Sequence, residues 1–549
     1  LTLLAGTLNS SYNVSVYGGS ATGTNGIINL TAGTFLLDGN GNFGANATWT
    51  FNNLTFGNGV GNQTTQKTGT GNIEVKGVLT IAQNHTLLAS SQDWILAGSG
   101  TPFVRNGNLT PETSTFKYIS SSNTNITPAT YYRLELTPTS SSPTYTILSG
   151  TLTTNDYLYI GDGNISLTVN ANTQDPTINI QANFEIRQNS TFIASNLNNL
   201  TIGGSYLNEG TFEHSNGTVI FNSSNTGNTI NAGNSPFYNI QFNNSAGGWT
   251  ILTNTTSTNN FEIISAQQFI ATGTIIIEVQ GQFKNYLGGN NTDWANSTLY
   301  LNSASKYTIN NSTSTGDQYY NLKIGPDTDI RMWYSSSQNY QIDSSASLYS
   351  MDHQGTDGLL YIFGDFQIPT STSEYWSYQK DFDGTTISGR QVNVRIYPGS
   401  TINLNGGTLE IIGTSTATTT IDRQEDFGTF AFEINSGTLN FQYYQIRRTN
   451  SDGLKISGSP AINSLDYGDY LLQINGGSLI TLDKSVIEAN PEITIRGCIF
   501  ATSTGIDSGY NVKLNGTTTH YWQFTEHSGG FDGEQYDLDS GDPGEIRWD

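Results

Sequence analysis

The sequence predicts an all-β protein, a repeat β-solenoid of the parallel β-helix type, with tandem Ig-like β-sandwich modules as the alternative. Three observations predict it: short alternating strands closed by turn residues, an aromatic phrase that recurs along the chain, and a near-absence of helical periodicity.

The strands carry the most weight. Short runs alternate apolar and polar residues and stop at Gly, Asn or Ser, as in GVLTIAQN from Gly77, TINIQANFEIRQ from Thr177 and PEITIRGCIF from Pro491. A period of two places every second side chain on one face, which is the signature of a half-buried strand. No long segment repeats apolar residues with the spacing of a helix face, so helices are not expected.

The phrase recurs in ATWTFNNLTF from Ala47, PATYYRLELT from Pro128, NSPFYNIQFNN from Asn234 and DQYYNLKIG from Asp317. Its aromatic anchors, Phe51, Tyr131, Phe237 and Tyr319, stand at wide and unequal intervals, and Tyr443 follows after a longer one. Shorter echoes lie between them: GTL at Gly6, Gly150, Gly407 and Gly437, and GTF at Gly33 and Gly210. The irregular spacing reads as diverged modules with insertions, each of several rungs. A rung cannot bury its own apolar face, so it stacks on others of its kind. At Asn234 the phrase puts Tyr238 or Phe237 inside, with Ile240 and Phe242 continuing the same face.

Dense short strands, Asn and Thr in the turns and the lack of Pro-rich linkers favour the solenoid over sandwiches. Rungs of about 20–30 residues stacked about 4.8 Å apart would build a body on the order of 100 Å long. Along the chain, residues 1–325 form an Asn/Thr/Ser-rich β-repeat region and 326–390 an irregular insertion or boundary. Residues 391–505 read as β-helix rungs and 506–549 as an acidic, aromatic C-terminal segment.

Composition agrees. Charged residues make up 12% of the 549, about half the usual share, while 29 Tyr, 25 Phe and 8 Trp supply apolar bulk that a disordered chain lacks. The net charge is −23, with only 21 Lys and Arg and no basic stripe. Neither nucleic acid nor anionic lipid is therefore an expected partner. Cys498 is the single cysteine, so no disulfide is available and the thiol is expected in the core. No stretch is apolar and long enough to span a membrane as a helix. The chain opens at Leu1 directly in strand-like sequence, and reads as processed or cut from something larger, with any anchor outside it.

Candidate chemistry is sparse. GNGNFG, Gly39 to Gly44, fits a phosphate-loop pattern, but a strand follows where a helix is required, so it reads as a turn. The acidic stretch from Leu514 to Ile546 holds no Lys or Arg. Its Asp532, Glu534, Asp537, Asp539 and Asp542 are the candidate ligands for Ca²⁺, which takes several oxygens flexibly. DLDSGD, from Asp537, begins like a calcium loop and then departs from the EF-hand pattern. His520 and His527 are close enough in the chain to be candidates to meet across a turn.

Tyr375, Trp376 and Tyr378 in EYWSYQ are candidate glycan contacts, since aromatic faces stack on sugar rings. Lys380, Asp381, Asp383 and Arg390 offer an acid–base set to an alternative, polysaccharide-degrading reading. N-x-S/T sequons crowd the Asn/Thr/Ser-rich repeat region, with Asn9, Asn46, Asn108, Asn199, Asn296 and Asn311 as candidate glycosylation sites. Beyond that region only Asn515 forms one.

The stretch GTVIFNSSNTGNTINAGNSPFYNIQFNNSAGGWTI, Gly217 to Ile251, resembles repeat modules of large bacterial surface proteins. These are adhesin-like parallel β-helix proteins, frequent in candidate-phyla bacteria with small genomes. The end of the chain, Gly509 to Asp549, looks like the aromatic, acidic segment that closes β-helix modules in that group. The resemblance implies an extracellular or cell-surface location and a structural or adhesive role, and brings no catalytic residues. The expectation is thus a noncatalytic surface protein that requires no cofactor beyond a candidate Ca²⁺. Its expected partners are copies of itself or other surface components, with assembly into filaments through β-edges, and glycans. A polysaccharide-binding or polysaccharide-degrading β-helix is the alternative.

Overall fold

Short strands separated by bends wind into rungs, and each rung hydrogen-bonds in parallel to the next. The computed structural model describes the chain except residues 288–290, 303–305, 310–320, 325–328, 333–338, 343–346, 350–357, 363–365, 370–372, 378–391, 397 and 424–425. For the strands between 306 and 377, and for residue 392, it describes the backbone alone, Trp376 excepted. The protein is nearly all β, a parallel β-solenoid of about 20 turns. It comprises two compact units, Leu1–Ile270 and Ala271–Asp549.

In the first unit a rung lays down strands such as Thr34–Asp38, Gly41–Gly44 and Trp49–Phe51 on successive faces. The next rung repeats them, so that Phe35 stacks on Leu54, Phe43 on Lys67 and Trp49 on Ile73. Alternation then does the rest: every second member of a strand points inward and its neighbours outward. One interior column runs Trp49, Ile73, Trp94, Phe116, Leu134, Leu158, Phe184, Tyr206, Ile230, Ile251. Every member is buried. The step from one member to the next, as from Phe116 to Leu134 or from Leu158 to Phe184, is the length of a rung.

That column revises the longer module spacing. Phe51, Tyr131 and Phe237 are all buried, but they do not occupy one register: Phe51 pairs with Val75, Tyr131 with Thr154 and Phe237 with Ser257. The repeating unit is the single rung, and its interior positions take aromatic and aliphatic residues alike. Tyr319 lies outside the described residues. In NSPFYNIQFNN it is Phe237 that fills the interior with Ile240 and Phe242, while Tyr238 lies outside against His214, ring centroids 5.6 Å apart.

Asparagine has a defined task at the bends. There the backbone leaves the sheet and an N–H loses its ladder partner. The side-chain oxygen of an Asn one rung earlier accepts it: Asn13 from Thr34, Asn40 from Thr64, Asn53 from Val78, Asn123 from Thr144 and Asn183 from Ser205, at 2.7 to 3.0 Å. Asn239 joins the rungs on both sides of it. Its Oδ1 accepts from the Asn260 N–H at 3.2 Å and from Asn259 Nδ2 at 2.8 Å, and its Nδ2 donates to Thr218 Oγ1 at 3.2 Å. Replacing Asn239 with Ala is expected to lower the stability of the first unit by about 1–2 kcal/mol, read as a shift in urea midpoint. An equal shift for Asn108→Ala, an exposed strand position, would show that loss of an amide anywhere has the same effect.

Late in the second unit some rungs lengthen. Ile402, Phe432, Leu454, Ile480 and Val512 stack in register, most of them at wider sequence intervals than in the first unit. Long strands run through corners without a loop because single residues take a left-handed backbone. Phe430–Arg447 bends at Gly437 (φ 107°) and Tyr443 (φ 51°), and Ala461–Leu472 at Tyr467 (φ 57°). The bend at Tyr443 turns its ring outward onto Tyr467, centroids 4.4 Å apart and planes parallel to 1°. Tyr444, not Tyr443, is the interior residue, and its hydroxyl bonds to that of Tyr470. Within 326–390 the described strands, among them Asp329–Met332 and Ser373–Ser377, pair in parallel.

Candidate functional site

The C-terminal rungs of the second unit depart most from repetition. Strand Gly477–Asp483 runs into a short helix, Lys484–Ala489, whose Val486 and Ile487 are buried. Asn490 ends it: its Nδ2 donates to Val486 O at 3.0 Å and to Pro460 O at 2.8 Å, and Pro491 cannot continue a helix. The carbonyl of Asn490 then accepts the indole N–H of buried Trp522 at 2.9 Å. These contacts fix the helix against the segment Thr517–His520.

Between them lies a cleft of about 490 Å³ lined by Glu488, Thr517, Thr518, Thr519 and His520. Thr518 and His520 are half-buried, and the other three are exposed. The Thr518 N–H donates to Glu545 Oε1 at 3.1 Å, and the His520 N–H to Thr518 Oγ1 at 3.4 Å. Glu545 is itself buried and accepts from the Ser540 N–H at 3.1 Å and Oγ at 2.7 Å. Burial pushes the Glu545 carboxyl up, but the hydrogen bonds from Ser540 and Thr518 outweigh it and hold the group below its ordinary value.

The acidic stretch is used internally. Asp539 accepts the Ile546 N–H at 2.7 Å and the Gly541 N–H at 3.2 Å, and Asp537 accepts the indole N–H of Trp548 at 2.7 Å. Asp532 lies 3.0 Å from His527 Nδ1. Among the described residues no three of His, Cys, Asp and Glu are grouped as a cation site. Of the calcium candidates Asp532, Glu534, Asp537, Asp539 and Asp542, Asp537 and Asp539 accept N–H groups of the same segment and Asp532 faces His527. His520 and His527 also take separate places, one in the cleft and the other edge-on to Trp548, centroids 5.1 Å apart.

Crowding leaves a mark on titration. Burial, then the charges of Asp542 and Asp539, raise the Glu534 carboxyl. Burial is also the main cause for Asp537, pushed from 3.8 up to about 7, with Asp539, Glu534 and Asp542 adding repulsion. A carboxyl raised in the fold stabilises it fully below the unfolded value and loses that contribution as pH rises through the folded one. The melting temperature of wild type relative to Asp537→Asn is accordingly expected to fall between pH 4 and 7.5. The amide retains an acceptor for Trp548, so the comparison isolates the charge, and a pH-independent difference would refute it.

The remaining candidates separate cleanly. Trp376 is fully buried, its ring 6.3 Å from Phe432, so it is a core residue and presents no face to a glycan. The Tyr375 side chain, Tyr378, Lys380, Asp381, Asp383, Arg390 and Asn311 lie outside the described residues. Asn9, Asn46, Asn108, Asn199 and Asn296 are exposed. Gly39 to Gly44 is a turn and a strand, and Cys498 is a free, buried thiol that burial pushes up to about 12.

Two clusters escaped the sequence. In the first unit Asp38, Thr65, Lys67 and His85 are buried together within three rungs. His85 Nε2 lies 3.0 Å from Thr65 Oγ1, and Lys67, pushed down to about 8 by burial, donates to the carbonyls of Thr68 and Gly69. Being sealed, they are framework. On the outer face Arg133, Tyr157, Tyr159 and Arg187 form a continuous stack, with the two rings 3.8 Å apart and the guanidinium groups 5.5 and 4.6 Å from them. Asp156 and Glu185 each pair with an arginine at 2.7 Å. The ring faces are covered, so this stack braces neighbouring rungs.

Comparison with family models, with curated proteins and with solved structures gives no match.

Proposed function

We propose that this chain is a noncatalytic structural or adhesive protein of the cell exterior, its β-solenoid serving as a scaffold for contact faces. The observation that carries the reading is the rung-to-rung stapling: asparagine amides join one rung to the next in both units, as Asn475 does to the N–H groups of Asp507 and Ser508 at 2.9 and 3.2 Å. Backbone ladders and staples together resist pulling along the stack, and ion pairs between rungs, such as Lys117 with Asp93 and Glu135, add to them. Resemblance to adhesin-like β-helix surface proteins, exposed sequons and a polar surface poor in charge support the exterior location. Self-association into filaments belongs to the same reading.

Immunogold labelling of intact cells tests it. Label on unpermeabilised cells is expected, arrayed in lines if the chain polymerises; label that appears only after permeabilisation overturns the proposal. A second reading, a polysaccharide-binding protein, is favoured by the open cleft at Glu488 and His520.

A further inference from the structure

The cleft between the Lys484–Ala489 helix and the Thr517–His520 segment has a volume of about 490 Å³, within the roughly 300–1,000 Å³ of small-molecule sites. Its lining decides what it takes. Three threonine hydroxyls, a carboxylate and an imidazole offer donors and acceptors together, and no large apolar side chain joins them.

The nearby aromatic surface is withheld. Trp522 is buried, and the Arg547 guanidinium covers the Tyr521 ring at 3.6 Å from its centroid. An apolar ligand thus has little to cover. An anion lacks a counter-charge: residues 514–546 contain no Lys or Arg, and Lys484, on the adjoining helix, lies 3.7 Å from Glu488. A hard cation lacks a cage, since the lining supplies one carboxylate and one imidazole. What fits is a neutral molecule dense in hydroxyl groups.

We infer that this cleft is a saccharide-binding site. Thr518 and His520 form its floor, with the Thr518 Oγ1–H left to donate while Oγ1 accepts from the His520 N–H. Glu488 stands at the rim, where a carboxylate accepts from two vicinal hydroxyls. Glu545, out of reach of the ligand, positions the floor through the Thr518 N–H. The inference goes beyond the scaffold role and rests on the cleft alone, so it stands wherever the protein resides.

Saturation-transfer NMR on the full chain tests it, with glucose, galactose, mannose, N-acetylglucosamine and their β-1,4-linked disaccharides as probes. Transfer to at least one neutral saccharide is expected, and none to glucuronic acid. Removing a hydrogen-bonding group, as in Thr518→Val or His520→Phe, should weaken that affinity about tenfold. Thr519→Arg alters only the exposed rim, so it blocks the cleft without disturbing the fold, and should abolish transfer. No transfer to any neutral saccharide at millimolar concentration, or transfer unaltered in Thr519→Arg, overturns the assignment.

Discussion

Replacing Trp94 with Ala is expected to destabilise the first unit by about 3–5 kcal/mol. The side chain is fully buried in the continuous interior column. It lies parallel to Phe116, centroids 5.8 Å apart and planes within 6°, and meets Phe56 at 6.1 Å. Its indole N–H donates to Ala89 O at 3.0 Å, so truncation removes apolar area, leaves a cavity and orphans a buried carbonyl. In a stacked protein each rung leans on its neighbours, and the damage should centre there. Amide exchange is expected to accelerate first in the paired strands Ile73–Val75, Asp93–Leu96 and Thr115–Tyr118, alongside a lower urea midpoint. Uniform acceleration over the whole unit would show that rungs unfold as one block and would contradict the local picture.

Gly437→Ala is expected to cost the second unit more than about 3 kcal/mol, for two additive reasons. Its φ of 107° is left-handed backbone that an L side chain adopts with strain, and an added Cβ would stand 2.3 Å from the carbonyl oxygen of Gly407 in the rung below. Backbone cannot step aside there, because the pairings of Leu404 with Ile434 and Thr408 with Thr438 flank the corner. Gly476→Ala separates the causes. It shares a left-handed φ, 76°, but has open space around the new Cβ, so only the conformational cost of about 1 kcal/mol applies. Thermal melts of the two variants should therefore differ clearly, and equal melts would remove the steric argument.

Fold class was legible because its two causes are local. Period-two alternation marks inward residues such as Ile240 and Phe242, and turn residues mark the bends. What sequence could not resolve was phase at a corner. Tyr443 and Tyr444 are chemically alike, and the left-handed backbone at the first decides which one enters the core. For the same reason Trp376 read as a platform: an aromatic cluster looks identical from either side of a sheet. The staples were legible in part. Abundant Asn in turns pointed to the solenoid, but the acceptor's partner lies a full rung away, at a distance that varies with each bend.

The cleft was hidden for a different reason. Glu488 and His520 are separated in the chain by the strands Thr494–Arg496, Ile499–Thr502 and Gly509–Asn515, and neither belongs to a motif. In the acidic stretch the sequence shows the carboxylates but not their partners: Asp537, Asp539 and Glu545 accept the N–H groups of Trp548, Ile546 and Ser540. A proline-limited helix inserted into an otherwise β sequence, KSVIEANP, was the available signal for a break in the coil.

Because the asparagine staples among the described residues reach the adjacent turn, such a turn carries with it what its neighbours require. Duplication or loss of one such segment during recombination rejoins the same kinds of surface, and the seam costs little. The coil can then lengthen or shorten across generations by whole turns, with the irregular rungs around the Lys484–Ala489 helix left intact. Inheritance would thereby tune the number of turns separately from the surface that any one of them presents.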